Sequence, residues 1–101
     1  MVVEDVENET VVVPLAGEID LLQCPAVRER LHGLIDDGAH HMVLDLSQLH
    51  FLDSTALGML IGLHRRLRDD GGVLELRSPT GPVRRALAVS GLDQVLHITA
   101  N

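Results

Sequence analysis

The segment best equipped for chemistry in this chain of 101 residues is Leu52-Asp53-Ser54-Thr55-Ala56-Leu57-Gly58. A hydroxyl behind a carboxylate, just where a helical apolar period starts, serves either as a nucleophile or as a helix cap. A nucleophilic serine needs a base held against it, and hydrolase elbows of the Gly-x-Ser-x-Gly kind expose it on a strained turn. Ser54 stands instead in Asp-Ser-Thr-Ala, and no spacing assigns any of the six histidines as its base. No catalytic residue is therefore expected, and the chain reads as a non-enzyme. The capping use remains open, because Asp-Ser before a helix is ordinary N-cap chemistry.

Other reactive residues offer less. His40 and His41 are neighbours, so in a strand they point to opposite faces, and no Cys/His/Asp set surrounds them. They are expected in a solvated loop before a strand. His32, His50, His64 and His97 are scattered. Neither a metal nor another cofactor is expected. Cys24 is the single cysteine, which forbids an internal disulfide and fits a reducing compartment.

The elements that must position Ser54 follow from periodicity and its interruptions. Val2 to Val6 reads as a short first strand, and Thr10 to Ala16 as a stronger one with Val11, Val13 and Leu15 on one face. Pro14 removes a ladder donor there, so one side should be irregular. Pro25 suits the first turn of a helix running to about Asp37, with Gly38 as its stop. Met42 to Ser47 alternates, then a helix runs from Ser54 to Arg68, ended by Gly71-Gly72. Val73 to Arg77 is a strand, Gly81-Pro82 opens a helix through Val89, and Val95 to Thr99 closes the chain as a strand. The order β-β-α-β-α-β-α-β implies parallel pairing through right-handed crossovers. Charged residues at alternate strand positions leave one sheet face to solvent. The expected fold is thus a two-layer α/β domain, a mixed and mostly parallel sheet with helices on one face.

On the helix that follows Ser54, Ala56, Met59, Leu60, Leu63 and Leu67 cluster as a core face. Ser54, Leu57, Gly58, Ile61 and Arg65 form a second stripe, displaced by a little over 100° on the same wheel. Gly58 inside a helix costs roughly 1 kcal/mol relative to Ala, and with Gly62 it suggests close packing by something. Leu57 and Ile61 are either part of a contact surface or shoulders of a wide core stripe.

Composition narrows the function. Net charge is -7, every basic residue is Arg, and Phe51 is the only aromatic. An acidic surface without stacking rings disfavours nucleic acid. The N-terminus turns acidic at once, unlike a secretory signal, and no apolar run approaches the roughly 18 residues that span a bilayer. One soluble, cytoplasmic domain over residues 1–101, bound to no membrane, is expected.

Leu52-Asp53-Ser54-Thr55-Ala56-Leu57-Gly58 resembles the phosphorylation-site signature of anti-sigma-factor antagonists, the STAS domain family. Gly17-Glu18-Ile19-Asp20, Pro25 five residues later, and Ser90-Gly91-Leu92 resemble further family segments in the same order. Thr55 replaces a frequent second Ser, Ala56 replaces Gly, and a final helix usual in the family does not follow by Asn101, so part of the core is expected to be more exposed. The resemblance implies a STAS fold and partner switching. The unphosphorylated chain would bind an anti-sigma factor serine kinase and free the sigma factor; phosphorylation at Ser54 would end binding, and a Ser/Thr phosphatase acting on phospho-Ser54 would reset it. It further implies partner contacts at Asp20, Asp53, Ser54, Thr55, Leu57, Gly58 and Ile61, although Asp20 equally suits a plain turn and Asp53 a local backbone bond. The alternative is a STAS interaction module, a stress-signalling scaffold or transporter accessory subunit without phosphate cycling.

Overall fold

The computed structural model describes residues 10–100, so the strand expected over Val2 to Val6 lies outside the described residues. From there the order is β1 (Thr10–Ile19), α1 (Cys24–Asp36), β2 (His41–Leu52), α2 (Ser54–Asp69), β3 (Val73–Arg77), α3 (Gly81–Val89), a short 3-10 turn (Leu92–Gln94) and β4 (His97–Thr99). The sheet order is β1-β2-β3-β4, and each neighbouring pair is parallel. Every helix links adjacent strands in the same direction. Right-handed crossovers of that kind deliver all three helices to one face.

Register fixes which side chains meet the helices. Val11 and Val13 pair with Met42 and Leu44, which pair in turn with Leu74 and Leu76. These six are buried in one cluster with Ala56, Met59, Leu60, Leu63 and Leu67 of α2, Leu31 and Ile35 of α1, and Val83 and Leu87 of α3. The core is thus aliphatic, as the near-absence of aromatics requires.

The opposite sheet face is polar but not simply solvated. Val43, between Val12 and Glu75 in the register, is almost fully buried there. Glu75 is the hub of that face: Thr99 Oγ1 donates to its Oε2 at 2.9 Å, Arg77 approaches the same oxygen at 3.5 Å, and His41 Nε2 lies 3.3 Å from Oε1. His41 therefore belongs to β2 and to this cluster, not to the solvated loop expected for it, because its register partner Val73 brings Glu75 within reach.

Three strands differ in length from the sequence reading. β1 and β2 extend to Ile19 and Leu52, well past Ala16 and Ser47, with register shifts between Pro14 and Ala16 and between Gly17 and Glu18. Bulges absorb the broken alternation, so the ladder continues where the periodicity stops. β4 is shorter than expected, because Leu92–Gln94 wind into a 3-10 turn first.

Arg66 clamps α2 to α1. It donates to His32 Nδ1 at 2.9 Å and to the His32 carbonyl at 3.3 Å, and it ion-pairs with Asp36. Burial, then the Arg66 charge, holds the His32 imidazole below its ordinary 6.5. Glu75 also sits below its ordinary 4.5: burial pushes it up, but the Thr99 and His41 bonds and the Arg77 charge outweigh that. The unfolded chain therefore takes up protons before the folded one at both groups, and folding stability is lost as the pH drops through each window. Denaturant titrations should show stability declining below about pH 6.5 as His32 is forced to protonate, and again below about pH 4.5 through Glu75. His32→Gln should flatten the upper decline and Glu75→Gln the lower.

Candidate functional site

The extended ladder carries two carboxylates to one end of the sheet. Ile19 pairs with Leu52, and the Asp53 N–H donates to the Ile19 carbonyl at 3.2 Å, so Asp20 and Asp53 leave neighbouring strand ends side by side. Their tasks there are local. Asp20 Oδ1 accepts from the amides of Leu22 at 2.9 Å and Gln23 at 3.2 Å, while its carbonyl accepts from Cys24 N–H at 2.9 Å. That Asx-type turn delivers the chain into α1.

Asp53, not Ser54, is the N-cap of α2. Its backbone is extended, its Oδ1 accepts from Ala56 N–H at 3.0 Å, and its carbonyl accepts the first helical bond from Leu57 at 3.0 Å. The capping explanation for Ser54 therefore fails. Ser54 is the first helical residue and is exposed, with Thr55 half-buried behind it. Cys24, fully buried, packs its Sγ 3.8 Å from the Thr55 carbonyl and 3.8 Å from Met59 Sδ. The starts of α1 and α2 are thereby locked together, and Ser54 rides on a rigid base.

Down α2, the five expected core residues are buried, Gly58 and Arg65 are exposed, and Leu57 and Ile61 are half-buried against the core. The two stripes are less separate than the wheel suggests: Leu57 and Ile61 are shoulders of the core stripe that also show a face to water. An added Cβ at Gly58 or Gly62 would meet nothing within 4 Å. The domain's own packing does not require either glycine.

Sequence reading missed the apolar character of the adjoining loop. Leu21 is 65% exposed and Leu22 83%, and Phe51, which pairs with Glu18 in the register, is exposed nearby on the opposite sheet face. The available signal was two leucines between a strand end and Pro25, where no periodicity calls for them. A cleft of about 520 Å³ opens between β1 and α1, lined by Pro14, Leu15, Ile19, Ala26, Val27 and Arg30 among others; Ser54 is not in its wall. Among the described residues no group of His, Cys, Asp and Glu is arranged to hold a metal, and no helix is long and apolar enough to cross a membrane. A solvent-facing hydroxyl on a rigid, acidic and partly apolar surface suits recognition by another protein.

Comparison with known proteins places the fold and the family. The STAS domain family matches residues 2–101. The anti-sigma-B factor antagonist of Bacillus subtilis is 33% identical over 94 residues, covering 93% of this chain and 84% of that protein. The anti-sigma factor antagonist SpoIIAA in its unphosphorylated form superposes with a TM-score of 0.82 at 31% identity, covering 95% of this chain and 84% of that one. The phosphorylated form of the Bacillus cell fate determinant SpoIIAA gives 0.74 at 30% identity, over 95% and 87%.

Asp53 offers a direct check on the helix start. Asp53→Ala should cost about 1 kcal/mol of unfolding free energy, whereas Asp53→Asn, which retains a capping oxygen, should cost only a few tenths. Chemical denaturation of the two variants measures the difference.

Proposed function

The chain belongs to the STAS domain family of anti-sigma-factor antagonists, and from that membership we propose that it is a phosphorylation-controlled member acting in the cytoplasm. In its unphosphorylated state it binds an anti-sigma factor that is also a serine kinase, and the bound sigma factor is released. The kinase then modifies Ser54. The Ser54 oxygen attacks the γ-phosphorus of ATP held by the kinase, its proton passes to a base there, the bond to the β-phosphate oxygen breaks, and ADP leaves. A Ser/Thr phosphatase returns the hydroxyl by transferring the phosphoryl group to water.

One observation carries this reading: Asp53 supplies the cap, so the exposed Ser54 hydroxyl is spared for another protein. Modifying it removes no capping bond from the fold. A helix N-terminus carries about +0.5 of a charge and tolerates a phosphate. The phosphate adds about -1.5 to -2, so the surface becomes strongly anionic beside Asp20 and Asp53. A partner packed on Thr55, Leu57, Gly58 and Ile61 then meets charge and bulk together. The fold stays; the contact goes.

Ser54→Ala should bind the anti-sigma factor like the parent chain and take up no phosphate, while Ser54→Asp should bind at least about tenfold more weakly, as read by calorimetry. Tight binding by the Asp variant contradicts the electrostatic switch. Gly58→Ala separates stability from contact: it should raise unfolding free energy by about 0.5–1 kcal/mol, since space is free in the isolated chain, yet weaken the complex. Parallel denaturation and binding measurements read the two opposite effects.

A further inference from the structure

The loop between β1 and α1 presents Leu21 and Leu22 to water at 65% and 83% exposure. Turns favour Gly, Asn, Asp and Ser for local reasons, and nothing local calls for leucine here. The turn is held by other groups: Asp20 Oδ1 accepts from the Leu22 and Gln23 amides, and the Asp20 carbonyl from Cys24. The two apolar side chains are therefore displayed on a preorganised support, which lowers the entropy lost when they are bound. Their position is continuous with the switch surface, because the Asp53 N–H donates to the carbonyl of Ile19, two residues before Leu21. Exposed Glu18 and half-buried Asp20 and Asp53 put carboxylates beside them.

We propose that Leu21 and Leu22 are an apolar anchor that enters a pocket on the anti-sigma factor, a pocket apolar at its floor and basic at its rim, and that this pair selects which anti-sigma factor the chain recognises. The proposal rests on the partner-binding reading of the Ser54 surface. Ser54 and its helix provide the part of the contact that phosphate breaks. The leucines provide the part that discriminates among partners. The residues that dominate such contacts sit in well-packed, desolvated pockets surrounded by contacts that exclude water, and an apolar pair standing clear of the fold suits a pocket of that kind.

Calorimetry of the full unphosphorylated chain against the purified anti-sigma factors of its own organism tests this. The double variant Leu21→Ser, Leu22→Ser should lose about tenfold or more in affinity for the cognate partner, and Leu22→Met should stay within about twofold of the parent. Thermal unfolding of both variants should match the parent, since the side chains stand in water. Raising the kinase concentration should restore phosphorylation of Ser54 in the double variant. If the parent binds and the double variant binds equally well, the anchor is overturned while the switch stands. If the variant changes only self-association of the chain in sedimentation, the occupant is a second copy and the proposal is overturned. If the parent binds none of these anti-sigma factors, the switch reading fails and the anchor fails with it.

Discussion

The carboxylate of Asp53 sets the geometry on which everything at this end of the molecule depends. Four amides at the start of any helix lack partners within it. Asp53 satisfies the amide of Ala56 with its side chain, and its own amide is held by Ile19 across the sheet. The first bond fixes where α2 begins; the second fixes that beginning beside the end of β1. With both tasks done by one residue, the next side chain in line has no structural duty. A serine there is held in place by its neighbours while its oxygen faces water.

The rest of the fold supplies the rigidity. Parallel strands running β1 to β4 place all their C-terminal ends together, and the crossovers return each helix to the same face. Cys24 fills the space between the starts of α1 and α2, and Arg66 ties the two helices again farther along. The surface around Ser54 is therefore assembled from a loop and a helix that are each fixed to the same two strands. A charge added at its centre changes what the surface presents more readily than how it is built.

Much of this was legible from the residues alone, and the exceptions have physical causes. β3 and α3 fall where the periodicity ends and glycines or proline intervene, because short elements flanked by strong breakers have little freedom in their limits. β1 and β2 run longer than their alternation, because a bulge lets the ladder continue through a residue that breaks the pattern. The core face of α2 was legible because five apolar side chains share one side; the partial burial of Leu57 and Ile61 depends on how closely neighbours approach, which a helical wheel does not contain. Asp53 rather than Ser54 as the cap was not decidable from type, since both are good capping residues. Leu21 and Leu22 escaped notice because exposure in a turn leaves no periodic trace.

In the proposed function, the two ends of this surface couple a charge switch to a fixed apolar contact. Electrostatic repulsion acts wherever the phosphate is placed, but it ends binding only when the partner must approach within a few ångströms of it. Ser54 lies between Asp53 and the half-buried Leu57, so a partner seated on Leu57, as proposed, comes that close to it. The most direct test is the intact mass of the chain after incubation with its cognate anti-sigma kinase and ATP, followed by fragmentation to locate any added group. The account predicts a gain of one phosphoryl group, placed on Ser54 and absent from Ser54→Ala. An unchanged mass, or a phosphoryl group on any other residue, contradicts it.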